Sequence, residues 1–175
     1  MVHSVELLFD AETEAAVVRI WTELADAGIH SLAGHRSPTN RPHVTLTVAE
    51  DIDDGVDDAL RPLLDLLPLP CVIGAPTLFG GGRTITLVRM VLPSRGLVNF
   101  HADVHRVCLP HMVNGPLPHA APGQWTPHVT LARRVPPDQL ATAVAVRAMF
   151  RDIRARAVGL RHWDGNNRVE HRISA

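Results

Sequence analysis

His43 and His128 each open the same four letters, His43-Val44-Thr45-Leu46 and His128-Val129-Thr130-Leu131, and each is preceded by proline. The two copies lie 85 positions apart. Each sits in a run of β-branched and aliphatic residues that reads as a strand, where successive side chains alternate faces. That alternation puts His43, Thr45 and Thr47 on one face and Val44, Leu46 and Val48 on the other, with His128, Thr130 and Ala132 sorted the same way. The polar presentation built twice is an imidazole with a hydroxyl beside it. Two imidazoles across a groove can run acid-base chemistry near neutral pH, one taking a proton from an attacking water or hydroxyl and the other giving one to a departing oxygen. The hydroxyls can donate to non-bridging oxygens as charge builds on them. A phosphodiester suits such a pair, because attack and departure are in line and the two proton handlers must stand on opposite sides of phosphorus.

Other side chains qualify this site. Arg41 and Arg134 share the parity of the two histidines and are expected to help bind phosphate; Arg133 has the opposite parity. Trp125, just before the second motif, and Phe79, at a strand end, are the candidates for a base platform, although packing roles are the more ordinary use of such rings. Aromatic residues make up only 4% of the chain, so a long single strand of RNA is a poorer fit than a small phosphodiester or an RNA terminus. His101 and His105 stand at the spacing of a helical chelate but lack further ligands, which makes a helix surface the expectation, and no metal or cofactor is expected.

The elements that position these residues follow from pattern. Val2 to Phe9 alternates as a strand, 11–27 has helical periodicity and ends at Gly28, and the first motif strand spans 41–49. A helix over 54–67, stopped by Pro68 and Pro70, and a strand over 71–79 complete the first half. Gly80-Gly81-Gly82 lacks the strand and helix context of a phosphate-binding loop and reads as a hairpin turn. The second half repeats the order: strand 84–92, helix 94–109, a Pro-punctuated loop 110–124 carrying His111 and His119, motif strand 125–135, helix 137–149, and strands 153–163 and 168–174. The 110–124 loop is expected to be mobile coil. The same 85-residue offset pairs Gly74 with Gly159 and Arg83 with Arg168, so the chain reads as a duplication with repeats at roughly 1–83 and 84–175. The expected fold is α+β: one bilobal domain over 1–175, pseudo-twofold, with antiparallel or mixed sheets, outer helices and a central cleft.

Composition excludes several chemistries. All 17 basic residues are arginine, so no lysine is present to form a Schiff base, hold a phosphate loop or take up a nucleotide covalently, and there is no tyrosine. A net charge of −1 gives no global field for nucleic acid. Cys71 and Cys108 are isolated and fit buried free thiols of a reducing compartment. The amino-terminal ten residues carry two acids and do not read as a secretion signal, so a cytoplasmic protein with no membrane contact is expected, acting as a monomer without an obligatory protein partner.

The paired His-x-Thr-x motif resembles the signature of the two-histidine (2H) phosphoesterase superfamily, which includes the bacterial RNA 2′,3′-cyclic phosphodiesterases also called 2′-5′ RNA ligases. The resemblance covers essentially the whole chain and both copies fit without a departure. It implies metal-independent hydrolysis of a cyclic phosphate or related phosphodiester in an inter-lobe cleft, with His43 and His128 as acid and base and Thr45 and Thr130 on phosphate oxygens. A 2′-phosphate product, with the 3′ oxygen leaving, and a reversible 2′-5′ ligation are further implications. The competing reading is a phosphate- or RNA-end-binding module of the same fold without turnover. A metal-dependent hydrolase is a third, separable by a chelator.

Overall fold

The computed structural model describes residues 2–174. Seven strands form a single antiparallel sheet: β1 (His3–Phe9), β2 (His43–Ala49), β3 (Leu69–Gly81), β4 (Thr84–Val91), β5 (His128–Val135), β6 (Ile153–Asp164) and β7 (Val169–Ile173). The order is β2-β1-β6-β3-β4-β5, with β7 also on β6. The centre is made by the two longest strands, β3 and β6, β3 serving two neighbours along its length and β6 three. Leu69 to Ile73 pairs with Ile153 to Ala157, and beyond that join β3 continues beside β4 while β6 continues beside β1. Each motif-bearing wing thus takes its third strand from the other half of the chain, so the halves 1–83 and 84–175 do not map one to one onto the wings. Although β2 and β5 end the sheet order, their Cα atoms come within 8 Å of one another. The sheet therefore folds round on itself, and the two motif strands meet.

Four α-helices accompany the sheet: α1 (Ala11–Asp26), α2 (Gly55–Leu60), α3 (Arg95–Cys108) and α4 (Leu140–Val144). The two long ones begin at side-chain caps, Asp10 accepting from the Thr13 amide at 3.0 Å and Ser94 from the Leu97 amide at 3.2 Å. Gly28, at φ +84°, takes the chain out of α1 in the left-handed conformation glycine tolerates best. The two expected helices over 54–67 and 137–149 are each shorter than their periodicity suggests. After Leu60 the chain tightens into a 3₁₀ turn, Arg61–Leu66, at Pro62, which has no amide hydrogen to continue an α-helix. The second is broken into a 3₁₀ turn at Pro137–Gln139, α4, and another at Arg147–Phe150, with the β-branched Val146 extended between the last two. No helix among the described residues is long and apolar enough to cross a membrane.

One core runs between sheet and helices, built from Val5 and Leu7 of β1, Val44 and Leu46 of β2, Val129 and Leu131 of β5, and the inner faces of α1 and α3. Both cysteines are free and lie within it, and burial pushes their thiols up to about 11 for Cys71 and about 12 for Cys108. Neither is a nucleophile at neutral pH. Fully buried Arg89 on β4 donates to the carbonyls of Ile73, Gly74, Ala148 and Arg151, tying the central strands to the turn before β6. Arg89→Met would leave those carbonyls unpartnered in a dry interior. We expect a loss of about 2–4 kcal/mol in urea unfolding; an unchanged midpoint would show that the guanidinium is not what holds this junction.

Candidate active site

Each motif histidine is held by the residue two before it. His43 Nδ1 lies 2.8 Å from the Arg41 carbonyl oxygen and His128 Nδ1 lies 2.7 Å from that of Thr126. A carbonyl can only accept, so both Nδ1 atoms carry a proton and both Nε2 atoms are left free for chemistry. The intervening Pro42 and Pro127 make this geometry local: proline fixes its own φ and biases the residue before it toward extended backbone, which sets the direction of that carbonyl. His43 and Thr45 face the same way as Leu8 and Glu6 of β1, and His128 and Thr130 the same way as Met90 and Val88 of β4.

Beyond threonine the expected alternation fails, in both copies at the same place. Val5 and Glu6 pair with Thr47 and Thr45, leaving Leu46 without a partner, while Leu87 and Val88 pair with Ala132 and Thr130, leaving Leu131 without one. The motif leucine is a β-bulge in each strand, and it reverses the parity of all that follows. Thr47 is therefore fully buried on the core side and does not join His43 and Thr45. The parity argument for Arg134 fails for the same reason: the bulge turns Arg133 to the side of His128 and Thr130, and Arg133 is the guanidinium whose charge reaches His128. Arg134 sits in a second irregularity of β5 with φ +57°. Arg41 lies beside His43 but its guanidinium points to carboxylates, 3.7 Å from Glu170 and 3.9 Å from Glu14.

Where the motif strands meet, a cavity of about 360 Å³ is lined by Thr45, Val48, Phe79, Trp125, Thr126 and His128, among others. Phe79 stands edge-on to the His128 ring, with centroids 4.7 Å apart and planes at 88°. Trp125 donates its indole N–H to the Thr45 carbonyl at 2.9 Å, and Trp21 of α1 does the same to Thr130 at 3.0 Å. Each motif threonine is thus fixed through its backbone by a tryptophan from elsewhere. His101 is not on a helix surface, as its spacing suggested. It is 1% exposed and stacked on Trp125 with centroids 3.9 Å apart, and it contacts the Ala120 carbonyl at 3.0 Å. His105 is buried as well, its ring 6.1 Å from that of His101, and it is His101 that ties the loop to α3.

The loop over 110–124 is coil and turn as expected, but it is pinned where mobility was expected. His111 meets Asp53 at 2.9 Å, the Leu117 amide donates to the Val48 carbonyl at 2.7 Å, and isolated bridges join Met112 to Ile52 and Pro116 to Ala49. It runs along the free edge of β2 and brings His119 and Trp125 to the cavity. Further histidines act on the other side of the sheet, where His162 and His171 both reach Asp57 of α2 at 3.1 Å.

The two imidazoles are not equivalent. Burial pushes His128 below the ordinary histidine range, the Thr126 carbonyl opposes this, and the charges of His43 and Arg133 add to the lowering. His43 has instead a buried acid behind it, with Glu6 Oε2 3.6 Å from its Nδ1.

The family model of the 2′-5′ RNA ligase superfamily matches residues 10–167. No curated protein matches the chain significantly. Among solved structures, Kluyveromyces marxianus Usb1 with uridine monophosphate aligns over 99% of this chain and 98% of its own at TM-score 0.59 and 13% identity. TT0787 of Thermus thermophilus aligns over 99% and 96% at 0.58 and 16% identity, and Escherichia coli LigT complexed with NADP+ over 97% and 92% at 0.51 and 14% identity. At such identities these likenesses establish the fold. The geometry itself sets a test: at alkaline pH, nitrogen NMR of labelled protein should find His43 and His128 as the Nδ1–H tautomer, whereas a proton on Nε2 in either would break the site as described.

Proposed function

The chain belongs to the 2′-5′ RNA ligase superfamily, and from that premise we propose that it is a metal-independent phosphodiesterase opening the 2′,3′-cyclic phosphate of a nucleotide or an RNA end. The observation that carries this reading is the matched pair of His-x-Thr motifs on strands that meet, each imidazole locked at Nδ1 with Nε2 free. His128, made less basic by burial, takes the proton of the attacking water. His43 gives a proton to the departing 3′ oxygen, and the product keeps its phosphate on the 2′ oxygen. Thr45 and Thr130 hydroxyls donate to the non-bridging oxygens, and Arg133 supplies positive charge on the same face. These groups offset the developing charge without asking for a metal. Arg41, committed to Glu14 and Glu170, is assigned to holding His43 through its carbonyl and not to phosphate.

The cavity beside the two motifs suits a base. Phe79, Trp125 and Val48 give it apolar walls, and its size favours one nucleotide or a terminal residue over an extended strand. The likeness to Usb1 with uridine monophosphate and to LigT with NADP+ supports a nucleotide ligand for this chain.

The test is a panel of 2′,3′-cyclic mononucleotides, RNA ends bearing cyclic phosphate and 2′-5′-linked dinucleotides, with His43→Ala and His128→Ala controls. Each variant should lose at least about 10²-fold in rate, and a chelator should change nothing. Wild-type rates in either variant, or loss on chelation restored by metal, would overturn the proposal. Binding without turnover by the intact protein would favour the non-catalytic reading. The rate should also be bell-shaped in pH: His128 must be neutral to accept a proton, and a lowered affinity for its own proton places the rising limb below the ordinary histidine range. A rising limb above that range would contradict His128 as base.

A further inference from the structure

We infer that Glu6 is a positioning residue for His43, keeping that imidazole as the proton donor of the pair; this rests on the cyclic-phosphodiesterase reading and deepens it. Glu6 is 4% exposed on β1, in register with Thr45, and its Oε2 is 3.6 Å from His43 Nδ1, on the side of the ring away from Nε2. It stands against the histidine, with its other partners Ser4 and Arg161.

Its carboxylate is held from three sides. Ser4 donates to Oε1 at 2.7 Å, Arg161 of β6 donates to Oε2 through Nε at 2.7 Å, and Arg161 Nη2 stands 2.6 Å from the same oxygen as an ion pair. Burial alone would push the Glu6 carboxyl up; the charges of His43 and Arg161 and the Ser4 hydroxyl outweigh it and hold the group below the usual carboxylate range.

Every charged group facing this pair enters the balance. From β6 comes Arg161, whose Nη1 also reaches Glu170 of β7 at 2.9 Å; from α1 comes Glu14, and from the chain before β2 comes Arg41, which lies between Glu14 and Glu170. Arg172 of β7 is 3.9 Å from Glu170 but half in solvent, where its charge is screened. Among the most buried groups, two carboxylates, Glu6 and Glu170, face one guanidinium, Arg161. Arg161 Nη2 is itself 3.4 Å from His43 Nδ1, two donors face to face, so the sign of the field at His43 depends on Glu6 standing beside it.

The other motif has no such arrangement. The residues of β4 opposite His128 and Thr130 are Met90 and Val88, Phe79 lies against the ring, and the nearby charge is that of Arg133. One imidazole is thus backed by an acid and the other by hydrocarbon and a cation. In the reaction the water oxygen bonds to phosphorus and its proton passes to His128 Nε2. The bond from phosphorus to the 3′ oxygen breaks with its electron pair on oxygen, and that oxygen takes the proton of His43 Nε2.

The test compares wild type with Glu6→Gln on uridine 2′,3′-cyclic phosphate and on the analogue with sulfur in place of the 3′ oxygen, a leaving atom that departs as thiolate without a donor. On the oxygen substrate, Glu6→Gln should lose about 10-fold or more in kcat at pH 7.5 with KM within about twofold, and its alkaline limb should move about one unit down in pH. On the sulfur substrate its kcat should stay within about twofold of wild type. Equal losses on both substrates with an unmoved alkaline limb would mean a merely structural role and would overturn the inference, as would no loss at all. Should Glu6→Gln fail to fold, nitrogen NMR of the wild-type protein decides: His43 should remain doubly protonated at a pH where His128 has already lost its proton, and the reverse order would overturn the inference. If wild type turns over neither substrate, the functional reading falls, and the same titration still judges the coupling of Glu6 to His43.

Discussion

A hydrogen bond from each motif imidazole to the carbonyl two residues earlier is the interaction on which the site depends. It fixes which nitrogen carries the proton, which way the ring faces and where the reactive nitrogen lies, and it does so with atoms two residues apart in the chain. The imidazole needs no distant partner to be aimed. The rest of the fold has then to bring two such units together, and it does so through a sheet whose terminal strands meet, with a central join contributed by both halves of the chain. The indole of Trp21 and that of Trp125 fix the threonine backbones at the bulges, where a strand edge would otherwise leave the carbonyls unpaired.

The repeated motif supplies the symmetric part of the proposed chemistry, and the different surroundings of its two copies supply direction. Two identical imidazoles in identical surroundings could not divide the roles of acid and base. Here one ring has Glu6 and Arg161 behind it while the other has Met90, Val88 and Phe79. On the proposed reading the same five-residue motif serves two opposite proton transfers, and the difference lies on β1, β4 and β6. Such tuning by neighbours is how a pair of like groups is split in function.

Much of this was legible in the sequence because it is local. The motif, its proline, the alternation as far as threonine, the α+β order of elements and the lack of lysine all lie within short windows. The bulges at Leu46 and Leu131 do not announce themselves, since no glycine marks them, and their signal was the recurrence of leucine at the same place in both copies. That omission misdirected Arg134 and Thr47 and set Arg133 aside for its parity. His101 read as surface because its partner, Trp125, is 24 positions away and meets it through folding alone. Glu6 was passed over for a similar reason: an acid in a strand becomes meaningful when Arg161 and His43 arrive beside it from distant segments.

On the proposed reading, both free Nε2 atoms address one phosphorus from opposite sides. A crystal structure with a uridine–vanadate complex, which mimics five-coordinate phosphorus, tests it most directly. The account predicts His43 Nε2 within hydrogen-bond reach of one apical oxygen, His128 Nε2 within reach of the other, and the Thr45 and Thr130 hydroxyls on equatorial oxygens, at roughly 2.6–3.2 Å. Both imidazoles on the same side of vanadium, or one turned away from it, would contradict the account.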